Sequence, residues 1–304
     1  MTLNRKLLEK KYTDLNEIDE INLSLIKLQD IDQDTFRGLS NLTEIDLSWN
    51  LLDRLNSQTF SGVDRLAKLY LYSNQLVLID NDSFQGLSNL VEIDLSWNRL
   101  ERIDKQAFHG LYKLVLIYLN CNHLTHLDQV TFNDLNDLEL LYLYNNHLTK
   151  IEKHLFKNLI NLKEIYLSSN RLVHIDGATF NGLINLVKLD LSCNLLNDIH
   201  KEAFNSLISL KEIDLSQNKL QSIDKYSFRG LKKLVKICLH KNLLVKIEKN
   251  PFKNLIAHSA QNEILQLHIE DSVKFVSFSN DSTKNNINLI TKQVKNDKLI
   301  FVFK

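Results

Sequence analysis

Proline, glycine, cysteine and net charge are all scarce in this chain of 304 residues. It has one proline, seven glycines, three cysteines and a formal net charge of zero. No run of 18 apolar residues occurs, so we predict no transmembrane helix and no membrane insertion. The balanced charge gives no overall field that would attract nucleic acid, which we therefore do not expect as a partner. The charged amino terminus lacks the apolar segment of a signal peptide.

What the chain does have is a strict repeat of 24 residues. Phenylalanine recurs at this interval from Phe36 to Phe252, and asparagine recurs in the same phase from Asn50 to Asn242. Each unit follows the pattern LxxLxxIxLxxNxLxxIDxxxFxGL. A fixed period between about 20 and 50 residues predicts a solenoid, in which one coil cannot bury its apolar residues alone and neighbouring coils form the core.

Each repeat contains a short stretch in which apolar and polar residues alternate. In residues 92–96, Ile93 and Leu95 alternate with polar residues. Alternation with a period of two predicts a strand with one buried face, and stacked coils then form a parallel sheet with one strand per coil. We expect the repeated asparagine to satisfy buried backbone groups of the turn, and the repeated phenylalanine to form a core spine.

The return path between strands begins with an acid. In residues 104–110, Asp104 predicts an N-cap, followed by about one helical turn and a stop at Gly110. The whole pattern resembles the leucine-rich repeat, in its typical subclass of 24 residues, over residues 12 to about 255. Extracellular members of that family usually carry proline at the acidic position, whereas Pro251 is the one proline here.

The resemblance implies an α/β fold. It is a right-handed, horseshoe-shaped solenoid with a parallel concave β-sheet and short helical or irregular convex segments. It also implies a binding module, of the kind found in receptor ectodomains, in matrix or adhesion proteins and in intracellular scaffolds. We predict four segments: an N-terminal basic arm (1–11), a degenerate capping repeat (12–35), leucine-rich repeats of 24 residues (36–255) and a tail (256–304). The arm is expected to be frayed. The capping repeat has Tyr12 in the phenylalanine position and Ile26 in the asparagine position.

The tail keeps strand-like apolar runs after the repeat register is lost. They are residues 264–269, 273–278 and 299–303, and the polar stretch 280–298 is expected to be a linker. The tail is either a β-rich C-terminal cap, which would cover the bare end of the sheet, or the start of a truncated domain.

Cysteines and glycosylation sequons give opposite indications of compartment. Cys121, Cys193 and Cys238 fall two or three coils apart, so strand spacing places them beyond disulfide range. Thiols without disulfides favour a reducing, cytoplasmic compartment. A secreted or cell-surface location stays open if N-terminal sequence is missing, because extracellular relatives are common and four N-x-[ST] sequons occur, at Asn22, Asn41, Asn81 and Asn280.

Outward strand positions indicate where the protein binds. Six of the nine tyrosines fall at these positions, and rigid exposed aromatic residues are typical of interface hot spots. The alternative is that tyrosine is simply favoured on strands. We predict a protein partner on the concave face, with tyrosine anchors and an acidic rim: Tyr118, Tyr142, Tyr144 and Tyr166 as anchors, Asp94, Asp190 and Asp214 as the rim, and Tyr70, Tyr72 and Trp97 beside them.

Charge polarity along the chain supports an alternative function, a structural or adhesion element. Residues 12–48 carry nine acids and two bases, whereas residues 228–254 carry eight bases and one acid. Drift among solvated faces is the favoured explanation of such a bias. The alternative is weak head-to-tail self-association, or docking of an acidic partner, through a basic patch: Arg229, Lys232, Lys233, Lys236 and Lys241.

Residue patterns typical of catalysis are missing. Six of the seven glycines occupy the FxGL position, so none forms a phosphate-binding loop. His123 and His147 lie one coil apart, but their column also carries Arg99, Arg171 and Lys219, which is typical of a solvated basic edge. We therefore expect no enzyme activity, no cofactor and no metal site.

Overall fold

The structure of the protein is a computed structural model. The chain divides into two compact units, Met1–Leu148 with Asn158–Ile160, and Thr149–Lys157 with Asn161–Lys304. Both units are built from 24-residue coils that stack through parallel strands. The residues that the structure describes are 1–244, 246–247, 265–269, 274–275, 289–295 and 298–303.

The first unit consists of short strands and one helix. Its strands have two or three residues, since each coil spends only three residues on the sheet before it turns. In chain order the elements are β1 (Thr2–Leu3), α1 (Arg5–Lys11), β2 (Glu20–Asn22), β3 (Asp30–Ile31), β4 (Glu44–Asp46), β5 (Lys68–Tyr70), β6 (Leu78–Ile79), β7 (Glu92–Asp94), β8 (Arg102–Ile103), β9 (Leu116–Tyr118) and β10 (Leu140–Tyr142).

The three-residue strands of this unit form one parallel sheet in the order β2-β4-β5-β7-β9-β10. Equivalent residues of successive coils lie opposite one another, as Tyr118 does to Tyr142. On the return side, two-residue strands pair in the same parallel sense, β1 with β3 and β6 with β8. The 24-residue period therefore sets the register of the whole unit.

The second unit repeats this arrangement and continues it into the tail. Its sheet has the order β11-β13-β15-β16-β18-β21-β20, and the pairs β12-β14 and β17-β19 lie apart from it. The elements are β11 (Glu164–Tyr166), β12 (His174–Ile175), β13 (Lys188–Asp190), β14 (Asp198–Ile199), β15 (Glu212–Asp214), β16 (Lys236–Cys238), β17 (Lys246–Ile247), β18 (Leu265–Ile269), β19 (Lys274–Phe275), β20 (Leu289–Lys295) and β21 (Lys298–Phe303).

Inward strand residues and the repeated phenylalanine form the core. Ile93 and Leu95 are fully buried, as the alternation predicts. Phenylalanine rings of successive coils stack, with centroids 6.1 Å apart for Phe84 and Phe108 in the first unit and for Phe180 and Phe204 in the second. The predicted core spine is confirmed, and each ring buries apolar surface against its neighbours rather than within its own coil.

The repeated asparagine binds the backbone of two coils at once. Asn98 Nδ2 donates to Leu95 O of its own coil (3.1 Å) and to Leu71 O of the preceding coil (2.9 Å). Its Oδ1 accepts from Leu76 N at 3.0 Å. Because the side chain is 6% exposed, water does not replace these bonds. The predicted asparagine ladder is confirmed.

The return segments are turns rather than helices. Between Asp104 and Gly110, Ala107 N donates to Asp104 O (3.0 Å) and His109 N to Gln106 O (2.9 Å). These bonds span three residues, so each closes a turn without starting an α-helix. Gly110 adopts a φ of +82°, a conformation that glycine reaches without steric cost. Of the helical or irregular alternatives for the return path, the structure has the irregular one.

The expectation of a frayed N-terminal arm is wrong. Thr2 and Leu3 pair with Asp30 and Ile31, and helix α1 follows, with its N-cap Asn4 accepting from Leu7 N at 3.1 Å. Leu3 and Leu8 are 1% and 0% exposed. Packing of these leucines against the first coil stabilises a helix that a basic heptapeptide would not form alone.

Tyr12 does not occupy the phenylalanine position in the core. Its hydroxyl donates to Asn22 O at 2.7 Å and accepts from Asn22 N at 3.0 Å. Lys11 Nζ also donates to Asn22 O, at 2.6 Å. These bonds satisfy backbone groups at the open edge of β2, which would otherwise be a template for pairing with another chain.

The tail contributes strands to the second unit. Strand β18 pairs in parallel with β16, β21 pairs antiparallel to β18, and β20 pairs antiparallel to β21. Strand β20 lies within the stretch 280–298, so the expectation of a linker is wrong for residues 289–295. Apart from β18 to β21, residues 256–304 lie outside the described residues.

Asn194→Ala should destabilise the protein by about 4 kcal/mol or more, because one N–H and three carbonyls lose a buried partner, at about 1–3 kcal/mol for each group left unsatisfied. Asn194 binds Leu167 O, Leu191 O, Ser192 O and Leu172 N. Urea unfolding measures the change. Asn181→Ala, at an exposed position of the same unit, is the matched control. Equal stability of the two variants would contradict the ladder's role.

Candidate functional site

Outward side chains of the first unit's sheet form a continuous surface, which we call the strand face. It comprises the first and third residues of each three-residue strand and the next few residues that lead into the turn. The in-register pairing places Asp46, Tyr70, Asp94, Tyr118 and Tyr142 in one row across five coils. All five side chains are partly exposed, as the period-two alternation predicts.

Three tyrosines at one end of this row form an aromatic cluster, Tyr118, Tyr142 and Tyr144. The rings of Tyr118 and Tyr142 stack with centroids 4.8 Å apart and planes 13° apart. Tyr144 meets Tyr142 edge-on at 6.4 Å. Leu116 and Leu140 lie opposite one another on the same two strands. The cluster is a rigid aromatic platform with an aliphatic flank.

Two tryptophans stand at the end of their strands. Trp49 and Trp97 are 56% and 61% exposed, with φ angles of 55° and 54°. This left-handed conformation is unfavourable for bulky residues. A hydrogen bond between coils enforces it, from Trp49 N to Tyr72 O (3.0 Å) and from Trp97 N to Asn120 O (3.1 Å). The Tyr72 ring meets Trp49 edge-on at 6.4 Å.

Acidic side chains surround Tyr70. Lys68 lies opposite both Glu44 and Glu92, and its Nζ is 3.5 Å from the Glu44 carboxylate. The negative charges of Glu92 and Glu44 both act on the Tyr70 phenol. One ammonium group thus serves two glutamates, and negative charge is in excess around the phenol.

Burial and like charge act on the titration of these groups. Partial burial, with the negative charges of Glu92 and Glu44 next, raises the pKa of Tyr70 to about 12, so its hydroxyl remains a proton donor at neutral pH. Burial also raises the pKa of Glu92 and of Asp94. Hydrogen bonds from Ser96 to Asp94 act in the opposite direction but do not cancel the effect of burial.

The second unit's strand face is organised differently. Glu164, Lys188, Glu212 and Lys236 lie in one row, so that charges alternate. Tyr166 donates to Glu164 Oε2 at 2.5 Å and accepts from Lys188 Nζ at 3.1 Å, and the same ammonium lies 4.8 Å from the centre of the ring. The charged and polar side chains of this face therefore bind mainly one another.

The predicted site residues divide between the two units. Those in the first unit are on one surface: Tyr70, Tyr72, Asp94, Trp97, Tyr118, Tyr142 and Tyr144. Tyr166, Asp190 and Asp214 belong to the second unit, where Asp190 and Asp214 lie opposite one another. That these ten residues bind a partner stays a prediction.

Sequence reasoning missed a local role of the aspartates. Asp94 Oδ1 accepts from Ser96 N (2.8 Å) and Ser96 Oγ (2.6 Å), and Asp190 makes the same pair of bonds to Ser192. Bonds of this kind are Asx turns, and the recurring Asp-Leu-Ser sequence is their signal. Trp49 was also left out of the predicted set, although it stands two repeats before Trp97 at the same position.

Other candidate features are weaker. His123 and His147 stack with centroids 5.4 Å apart, and in the described part of the chain no three His, Cys, Asp or Glu side chains are placed to hold a metal ion. Cys121 and Cys193 are half-buried thiols. Within the same described ranges, no helix has the length and apolarity that crossing a membrane requires.

Basic residues of helix α1 reduce the net negative charge near the amino-terminal end of the chain. Helix α1 brings four basic residues, Arg5, Lys6, Lys10 and Lys11, next to the acidic repeats. Within the basic stretch 228–254, residues 245 and 248–254 lie outside the described residues. The predicted head-to-tail association stays a prediction.

The family-level comparison identifies the class of protein. Overlapping matches to the family described as "Leucine rich repeat" cover residues 16–76, 64–120, 113–172, 141–192, 160–220, 184–244 and 208–255. The chain therefore belongs to the leucine-rich-repeat family, and its spacing is compatible with the 24-residue subclass. No curated protein matches the sequence at a significant level.

Solved structures show the same fold. A chain of the TLR13–ssRNA13 complex is 26% identical with a TM-score of 0.73, over 85% of this chain and 41% of that one. A chain of the Toll–Spätzle complex of Drosophila is 20% identical (TM-score 0.64; 84% and 36%). The APL1 leucine-rich repeat domain is 20% identical (0.70; 91% and 72%). This chain thus spans less than half of the TLR13 and Toll chains. Since one of these structures holds RNA, the relatives do not support the prediction that nucleic acid is no partner.

Asp94→Asn should gain stability relative to the wild type as pH rises from about 4 to 7. A carboxyl group whose folded-state pKa is raised loses stability as pH rises from its unfolded pKa, about 4, through its folded pKa. Asparagine cannot ionise and still accepts bonds from Ser96. Melting temperatures of both proteins across this range give the difference. A difference that does not change with pH, or that favours the wild type at higher pH, would contradict the raised pKa.

Proposed function

We propose that this protein is a non-catalytic protein-binding module whose contact surface is the strand face of the first unit. One observation carries the proposal: the stacked, partly exposed aromatic cluster of Tyr118, Tyr142 and Tyr144. The rings lie outside the leucine and phenylalanine core, so core packing does not require them. Tyrosine offers a large contact area and a polar tip at low entropic cost, which suits it to anchoring a protein partner.

The tryptophans give the proposal independent support. Trp97 is 61% exposed and has a left-handed backbone conformation that other coils form with smaller or polar residues, such as Ser73, Asn145 and Gln217. The turn therefore forms without tryptophan in other coils. The presence of tryptophan beside the tyrosines is explained by contact with a ligand.

The relatives are consistent with macromolecular recognition. TLR13 is in complex with ssRNA, and Toll is in complex with Spätzle, in the structures to which this chain is similar. For this chain we propose a protein, because carboxylates on the strand face repel phosphates. We further propose the four segments given above as its domain organisation, with β18 to β21 as a C-terminal cap.

The double variant Tyr118→Ala/Tyr142→Ala should lose the protein's specific partner. Affinity capture followed by quantitative mass spectrometry compares it with the wild type. Each truncation at a hot spot costs about 2 kcal/mol or more, so capture should fall at least about tenfold. The identity of the lost partner also distinguishes a cytoplasmic from a secreted protein.

The matched control is Tyr112→Ala/Tyr226→Ala, which removes two exposed tyrosines outside the strand face. It should capture the same partners as the wild type. Both double variants must first show wild-type circular dichroism and melting temperature, since neither pair is in the core. An unchanged partner list for Tyr118→Ala/Tyr142→Ala would overturn the proposed function.

A further inference from the structure

We propose that the segment which docks on the first unit is cationic, a peptide segment of a partner protein that presents arginine or lysine side chains. It would lie on the acid–aromatic patch formed by Trp49, Tyr70, Tyr72, Glu92, Asp94 and Trp97. The inference rests on the proposed function and adds the chemistry of the partner.

Negative charges outnumber positive charges on this face. Across the three-residue strands of the first unit, the outward positions carry five carboxylates, Glu20, Glu44, Asp46, Glu92 and Asp94, and one ammonium, Lys68. Lys68 lies between Glu44 and Glu92 and is nearest to Glu44, at 3.5 Å. In the second unit the same positions of β11, β13, β15 and β16 carry four carboxylates and two ammonium groups, Lys188 and Lys236, and these lysines alternate with glutamates along one row. The excess of negative charge is therefore larger on the first unit's face, which makes that face the better binding surface for a cation.

Aromatic rings flank the carboxylates in an arrangement suited to a cation. Tyr70 lies opposite Asp94, the charges of Glu92 and Glu44 act on its phenol, and the Trp49 and Tyr72 rings meet edge-on. Trp49 and Trp97 are two coils apart, roughly 10 Å by strand spacing. A guanidinium group stacks on such rings and donates to carboxylates in its own plane, so rings and acids together select it over a neutral side chain.

One carboxylate oxygen of Asp94 receives no hydrogen bond from Ser96. Both bonds from Ser96 reach Oδ1, which leaves Oδ2 for a ligand. Burial already raises the pKa of Asp94 and Glu92, so the protein has withdrawn these carboxylates from water before any partner arrives. A charge-assisted bond to a partly desolvated carboxylate is stronger than one to a fully hydrated carboxylate.

Nucleic acid and a second copy of this chain are the competing occupants. Phosphates would meet the excess of carboxylates, which opposes binding of RNA or DNA. A second copy would have to present its own basic surface, such as Arg229, Lys232 and Lys233. Association of that kind would make the sedimentation of the chain alone depend on its own concentration, whereas a chain that binds only a peptide would sediment alone as one species at every concentration.

The experiment uses fluorescence anisotropy with the full chain and a short glycine–serine peptide that carries arginines. The same peptide with glutamate in place of arginine and a short single-stranded RNA are the comparison probes. Of the three probes, we expect only the arginine peptide to bind. Its affinity should fall as the salt concentration increases. Glu92→Gln/Asp94→Asn should weaken binding about tenfold, equivalent to about 1.4 kcal/mol. Trp97→Ala should weaken it about fivefold, because it removes a cation–π partner.

The matched control is Asp82→Asn/Glu101→Gln, which removes the same two charges from exposed positions of the first unit outside the strand face. It should change affinity less than about twofold, since exposed charges at a distance are screened. Equal losses in the two double variants, preference for RNA or the acidic peptide, or no binding of the arginine peptide would each overturn the proposal. So would concentration-dependent self-association, in sedimentation, that Glu92→Gln/Asp94→Asn abolishes.

Failure here is distinguishable from failure of the proposed function. If capture of the natural partner depends on Tyr118 and Tyr142 but the arginine peptide does not bind, the strand face is a protein-binding surface and the inference about charge is wrong. If the arginine peptide binds as expected, the inference stands.

Discussion

Hydrogen bonding by a buried amide is the interaction on which the rest of the structure depends. A coil of 24 residues must reverse direction right after a three-residue strand, and the backbone groups at that corner are buried by the next coil. The repeated asparagine, as at Asn98, satisfies carbonyls of its own coil and of the preceding one. Each coil thereby completes its neighbour, so stability comes from stacking rather than from any isolated repeat.

This division of labour leaves the strand face free to vary. Inward positions of the described coils hold mainly Leu, Ile and Phe, whereas the outward row of the first unit changes from Asp46 through Tyr70 to Tyr142 without disturbing a core contact. The two units use that freedom differently. Tyr166 forms hydrogen bonds with Glu164 and Lys188 of its own face. In the first unit, the aromatic cluster and Glu92 are partly exposed, and Lys68 is the one lysine at the outward strand positions. The proposed function therefore depends on the outward residues, which the fold positions.

Repetition made most of the fold predictable from the sequence. The roles of Phe108 and Asn98 follow from period and chemistry alone, and so does the outward direction of Tyr118. What was missed depends on packing between distant parts of the chain. Helix α1 is stable because Leu8 meets the first coil, and the Tyr12 hydroxyl binds the edge of β2, neither of which a local pattern encodes. The partnership of Tyr166 with Lys188 likewise requires the side-chain geometry of two coils.

Photocrosslinking tests most directly whether the partner contacts the strand face. The photoreactive amino acid p-benzoylphenylalanine would replace Tyr118 in one protein and Tyr112, an exposed tyrosine outside that face, in another. The proposed function predicts a covalent adduct with the partner protein from position 118 and none from position 112. An adduct from position 112 alone, or equal adducts from both, would contradict recognition through the strand face.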